Sequence, residues 1–223
     1  MIIWWVIILC PMAGGLSHWL GLIGYKRLDG KTFPVATSLR FATAATVAST
    51  CGFFISIFTT GSLTLTASMV NAALYALLMT ASLVDWKTQW APTELILPIC
   101  ALVGLSAVIS GVMSSWMAIA GLTLFVLAWA FWRIQSLSGH ELLPPADCLA
   151  LFLPILLLGE TETLLFFYLG LSLTVALIGR YAQFQRQHKV TIPLLALAFP
   201  LLILCVMMEK FVVMIGIRVL GIA

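Results

Sequence analysis

The fold class this sequence predicts is all-α: a polytopic integral membrane protein with about 6–8 transmembrane helices. Three observations predict it. Of 223 residues, 62% are hydrophobic and 9% charged, with a mean hydropathy of +1.14. A water-soluble domain of that size carries more polar surface. The apolar residues come in runs close to the roughly 20 that a helix needs to cross the hydrocarbon core. Those runs are continuous, whereas a transmembrane barrel shows short alternating segments with polar lumen positions.

Polar breaks divide the chain into about eight apolar segments. The first covers residues 2–24; "MIIWWVIILCPMAGG" has no basic region before it, so it reads as a span and not as a cleaved signal peptide. The loop "YKRLDGKTFPVATSLR" follows, then spans at 41–58 and 63–84. After the polar stretch "DWKTQWAPT" come spans at 93–112 and 116–134. The loop "QSLSGHELLPPAD" leads into a short run, 148–158, too short to cross unless it begins in that loop. "GETET" precedes a span at 164–179, and "RYAQFQRQHK" precedes a last apolar stretch that Glu209 and Lys210 interrupt, a local pair at an expected helix break. Nothing reads as a linker or second domain, so residues 1–223 are expected to form one membrane-embedded domain.

Charge sets the expected orientation. The loops at 25–40, 85–94, 133–147 and 180–190 hold nine of the eleven basic residues: Lys26, Arg27, Lys31, Arg40, Lys87, Arg133, Arg180, Arg186 and Lys189. The turns near 59–62 and 112–115 carry no charge, and the turn at 159–163 carries Glu160 and Glu162. The two sets alternate along the chain. The positive-inside rule then puts the basic loops in the cytoplasm and the N-terminus outside. The net charge of +3 reports topology, and no nucleic-acid partner is expected. Cys10, Cys51, Cys100, Cys148 and Cys205 lie in or beside apolar runs without a CxxC pair, which suits buried thiols and neither zinc nor disulfides. His18, His140 and His188 lack metal-ligand spacing.

Three aspartates occur. Asp29 lies in a basic polar loop and is expected to be solvated. Asp85 and Asp147 each sit at the same membrane edge, at the border of an apolar run. An ionisable group at membrane depth costs a few kcal/mol and marks a candidate functional site. Asp147, after "LPP" and before an apolar run, also fits a helix cap. Asp85 closes a helix, where the macrodipole disfavours a negative charge, and Lys87 two residues on is not a helical neighbour. A plain boundary charge is the other reading of Asp85. Two carboxylates close together in a partly dehydrated site do not both ionise; one is a base and the other holds a proton. Such a pair activates water against an amide and protonates the developing oxyanion, with no metal and no covalent intermediate.

At these residues the sequence resembles the type IV prepilin peptidases, a family of membrane aspartic proteases. The family's first motif is an aspartate closing a helix, a short polar loop, a proline and an apolar helix. "LVDWKTQWAPTELILPICALVGL" is similar to it, with Asp85 on the aspartate, Pro92 seven residues later, then Pro98 and Gly104. The second motif, Gly-x-Gly-Asp before an apolar helix, is matched by "PPADCLALFLPILLLG", with Asp147 on the aspartate. "VTIPLLALAFPLL" is similar to the family's Ile-Pro-Phe-Gly-Pro segment, with Pro193 and Pro200 as its prolines. The resemblance covers roughly 60–205. Departures are Pro144 and Ala146 in place of the two glycines, Leu149 in place of the usual lysine, and Thr93 after the first proline. Proline fixes φ where glycine leaves it free, so the turn before Asp147 differs from the family's.

The resemblance implies an intramembrane aspartic endopeptidase of the bacterial inner membrane. Asp85 and Asp147 would be its catalytic pair, and its substrate a prepilin-like membrane protein whose basic leader is cut at the cytoplasmic face. The family also methylates the mature N-terminus from S-adenosylmethionine. The cysteine-rich segment that full-length members carry after the first span is missing here, as in shorter forms, and no cofactor or metal is expected. The competing reading is a catalytically inactive membrane scaffold for pilin-like subunits, with Pro144 and Ala146 as its support. A small transporter, which needs polar residues near mid-membrane, ranks last, because Asn71 is the only strong candidate within a span. Trp86 and Trp90 suit either an interfacial belt or a groove for a substrate helix, and lipid is the other expected partner. The small residues of "AATVASTCG" and "GLIG" suit close helix packing. No feature specifies an oligomeric state.

Overall fold

In the computed structural model, residues 2–29, 35–60, 65–88, 93–110, 130, 134, 153–155, 157–158, 161–184 and 193–220 are described. Six long helices account for nearly all of them: α1 (Ile2–Asp29), α2 (Val35–Thr60), α3 (Leu65–Thr88), α4 (Thr93–Ser110), α5 (Thr161–Phe184) and α6 (Leu194–Leu220). No strand occurs among the described residues. Four helices contain stretches long and apolar enough to cross a membrane: Val6–Lys26, Thr37–Ile55, Leu65–Thr88 and Glu162–Ala182. Glu94–Ser106 and Leu194–Met208 are shorter apolar stretches. The expected span at 116–134 lies almost entirely outside the described residues. Of 148–158, Leu153 to Ile155 are helical, and the Leu158 amide donates to the Pro154 carbonyl at 2.8 Å.

Helix ends differ from the apolar boundaries in an instructive way. α1 runs on through Tyr25, Lys26 and Arg27 to Asp29, and α2 begins at Val35, ahead of Arg40. Much of the expected 25–40 loop, Asp29 included, is therefore helix. An apolar run measures the hydrocarbon thickness. The hydrogen-bond ladder continues through Lys and Arg, which are good helix formers. The same reasoning overturns the expected break at Glu209 and Lys210, because α6 passes through both without interruption. A charged pair does not remove a backbone donor; only proline does.

α3 sits at the centre. It is buried nearly all round, from Ala67 and Val70 through Leu74, Leu77, Leu78 and Ala81 to Val84 and Asp85. A helix apolar on every face belongs in the middle of a bundle. α1, α2, α4 and α6 all pack on α3, and α5 packs on α6. Glycines let the first three helices approach. A β-carbon on Gly14 of α1 would collide with the Thr46 backbone of α2. One on Gly52 of α2 would lie 2.5 Å from the Asn71 carbonyl oxygen of α3. One on Gly21 of α1 would lie 2.7 Å from the Thr80 methyl. Gly21 and Gly52 belong to the two small-residue stretches expected to pack closely.

These contacts also fix direction. His18 shares a 2.7 Å hydrogen bond with Ser38, while Gly14 meets Thr46, so α1 and α2 are antiparallel. Ser17 meets Thr80 at 3.3 Å, and the Ser106 hydroxyl donates to Asn71 Oδ1 at 2.8 Å. The C-terminal ends of α1 and α3 and the N-terminal ends of α2, α4 and α6 therefore share one end of the bundle. Lys26, Arg40 and Lys87 are exposed there.

The outer surface is apolar. Leu165, Phe166, Leu169, Leu173 and Leu177 form an exposed stripe along α5, and Ile8, Met12, Leu16, Trp19 and Ile23 another along α1. Polar side chains turn inward instead: Ser17, Ser49, Ser68, Thr80, Ser82 and Asp85 are buried. Such a surface suits a hydrocarbon solvent. Most hydroxyls satisfy themselves within their own helix. Thr43, Thr46, Thr50, Thr80, Thr88 and Thr174 each donate to the carbonyl four residues back at 2.8–3.0 Å.

Candidate functional site

Asp85 occupies the last turn of α3 and is 5% exposed. Its neighbours in sequence point the other way: Trp86 and Lys87 are exposed. The carboxyl is directed at the first turn of α6. Oδ2 accepts the Ala196 amide at 3.0 Å, and the Leu195 amide reaches the same carboxyl. One turn earlier on α3, the Ser82 hydroxyl donates to the Ala196 carbonyl at 3.2 Å. Both polar atoms of one peptide residue of α6 are thus held by α3.

Elementary electrostatics explains the arrangement. At the C-terminal end of α3 a carboxylate faces that helix's own negative pole. The amide groups at the start of α6 are unsatisfied donors at a positive pole. Pro193, which precedes Leu194, has no side-chain oxygen to cap them. Asp85 supplies the missing acceptor from another helix. The apparent misplacement of this charge in the sequence is removed by a helix that arrives 111 positions later.

The other sequence-predicted positions divide in two. Pro98 and Gly104 lie within α4, and Glu94 stands in its first turn, where a negative charge suits the helix N-terminus. Pro193 and Pro200 lie at the start of α6 and one to two turns into it. Asp147, Pro144, Ala146, Leu149, Pro92, Trp90 and His140 lie outside the described residues. Asp85 is therefore brought to the α6 segment, and its pairing with Asp147 stays with the proposal below. His18 belongs to the α1–α2 contact through Ser38. Asn71 is bonded across to α4. Cys10 and Cys205 are buried, Cys51 and Cys100 half-buried, and none of these four forms a disulfide. Among the described residues no cluster of three or more His, Cys, Asp or Glu side chains is placed to hold a metal ion.

Sequence reasoning missed Ser82 and the Ala196 peptide. A signal for Ala196 was present, since Pro200 four residues later withholds its amide, but nothing local pointed to Ser82. Compared with protein-family models, curated proteins and solved structures, the chain matches none of them.

Proposed function

We propose that this protein is an aspartic endopeptidase of the bacterial inner membrane. It would cleave the basic leader from prepilin-like proteins at the cytoplasmic membrane face, with Asp85 and Asp147 as its catalytic pair. Six to eight spans, cytoplasmic basic loops and an external N-terminus complete the reading, and no cofactor takes part. The observation that supports it best is the setting of Asp85. A buried aspartate stands at the basic end of an apolar bundle, its carboxyl held by backbone amides of α6. The Leu195 amide reaches the same carboxyl as the Ala196 amide, and its remaining lone pairs would face a water or the proton shared with a second carboxyl. These amides belong to the segment similar to the family's proline-containing motif, so two of the three resembling segments meet at Asp85.

A leader rich in Lys or Arg, followed by an apolar helix, is the substrate chemistry that such a site receives. The hydrolysis is that of an aspartyl pair. One carboxylate takes a proton from water as it attacks the scissile carbonyl. The other carboxyl protonates the oxyanion to give a gem-diol. As the C–N bond breaks, the first carboxyl gives its proton to the leaving amine nitrogen and the second takes one back from a diol hydroxyl. The roles are not divided between Asp85 and Asp147, because a coupled pair titrates together.

A second reading has its own observation. Capping α6 gives Asp85 a structural role, as an inactive scaffold for pilin-like subunits requires. Co-expression with a prepilin, followed by the substrate's size and N-terminal sequence, separates the two. Wild type removes the leader; membrane-inserted Asp85→Asn and Asp147→Asn do not. Cleavage that survives either substitution refutes the pair, and a wild type that binds prepilin without cutting it establishes the scaffold.

A further inference from the structure

The two prolines of α6 and the two polar residues of α3 answer one another. Pro200 has no amide hydrogen, so the Ala196 carbonyl, four residues back, lacks the donor that every other interior carbonyl receives. In an apolar surrounding such an orphan must find a partner. Ser82 provides it at 3.2 Å. Ser82 forgoes the bond to its own helix that the neighbouring Thr80 makes to Ala76. Pro193 leaves the first amides of α6 uncapped, and Asp85 provides that acceptor. Ser82 and Asp85 are three residues apart and share a face of α3.

We propose that Ser82 is a positioning residue: by binding the carbonyl that Pro200 leaves open, it clamps the first turn of α6 onto α3 and so fixes the orientation of the Asp85 carboxyl. This rests on the endopeptidase reading. Ala196 is the shared residue, its carbonyl held by Ser82 and its amide holding Oδ2, so a shift of this turn of α6 turns the carboxyl with it. The carboxyl is then aimed by a backbone position and not by a rotamer alone.

The test is a double-substitution cycle on the purified protein in lipid nanodiscs, with Ser82→Ala, Ser82→Thr, Pro200→Ala and Ser82→Ala/Pro200→Ala. Thermal unfolding and the kinetics of leader removal are read on each. Ser82→Ala lowers the unfolding midpoint by about 2–4 °C, the effect of one lost hydrogen bond in a chain of this size. It lowers kcat about tenfold and leaves KM within about twofold. Ser82→Thr keeps both. In the double variant the new amide at position 200 satisfies the Ala196 carbonyl, so the midpoint returns. The clamp to α3 does not return, so kcat stays low.

Recovery of kcat together with the midpoint would make Ser82 merely structural and overturn the proposal. An unchanged midpoint in Ser82→Ala, or strictly additive effects, overturns it as well. A wild type that cuts no prepilin while the unfolding cycle remains coupled refutes the endopeptidase reading and supports the hydrogen-bonded seam.

Discussion

Replacing Asp85 by asparagine and by alanine separates what the side chain does for the fold from what it does for chemistry. Asp85 is 5% exposed, so little water reaches the Ala196 amide when the side chain is cut back. Asparagine keeps an oxygen where Oδ2 stands and still accepts the 3.0 Å bond. Alanine removes it. A hydrogen bond to a charged group contributes about 1.5–3 kcal/mol, and a helix cap about 0.5–2 kcal/mol on replacement by alanine. Relief from burying a charge is common to both variants, so the difference between them isolates the acceptor. That difference is expected to be about 1–2 kcal/mol, or roughly 3–6 °C in unfolding midpoint for a chain of this size. Tryptophan fluorescence during thermal unfolding in detergent measures it, with prepilin cleavage measured alongside. Both variants lose cleavage, and alanine alone shows the further loss of about 1–2 kcal/mol. Equal midpoints for the two would refute the capping argument, and cleavage by Asp85→Asn would refute the catalytic one.

Three further outcomes are expected. Gly52→Ala places a β-carbon 2.5 Å from the Asn71 carbonyl and 2.9 Å from the Tyr75 ring, which the backbone of α3 does not yield to. It should cost about 1–3 kcal/mol in an unfolding titration, whereas Gly15→Ala, with open space, is neutral or slightly stabilising. Leu173 is 62% exposed on α5, so Leu173→Ala should be nearly silent, while Leu173→Arg should cost about 2.5–3.5 kcal/mol in a membrane-insertion assay if lipid covers that face. Asn71→Leu removes the acceptor of the Ser106 hydroxyl and should lower stability by about 1 kcal/mol or less with cleavage retained. Loss of cleavage without loss of stability would give Asn71 a role in the reaction.

The helices were legible because their cause is local. Long apolar runs forecast α1 to α4 and α5 within a few residues, and α4 begins at Thr93 as the polar break suggests. Two of the three close-packing glycines, Gly21 and Gly52, were legible as well, because a small residue inside an apolar helix has few other uses; Gly14 was not singled out. Helix ends were less so. Tyr25 to Asp29 looked like loop by polarity, yet the ladder needs only amides and carbonyls, and α1 continues through them. Glu209 and Lys210 misled for the same reason.

The candidate site was legible to a depth that its own physics explains. Asp85 stood out because a carboxylate at the negative end of a helix is locally unfavourable, and an unfavourable local choice needs a non-local reason. The reason lies in α6, at the Ala196 amide. No periodicity or motif connects Ser82 with Ala196, which are 114 positions apart; a serine in an apolar helix looks like any other hydroxyl able to bond four residues back. What the sequence does contain is the other half of each bond. Pro193 and Pro200 announce an uncapped start and an orphan carbonyl, seven residues apart, in a helix whose first turns are buried against the bundle. A proline pair of that kind in an apolar helix is thus a request for one acceptor and one donor from a neighbour. An aspartate and a serine one turn apart at the end of another helix are able to meet it. Moving Pro200 to position 201 in a Pro200→Leu/Leu201→Pro variant shifts the orphan to the Leu197 carbonyl, about 100° round the helix and away from Ser82. The seam should then lose its Ser82 bond and unfold at a lower temperature than Pro200→Leu alone. An equal midpoint for the two would show that the fit between prolines and polar residues is coincidence.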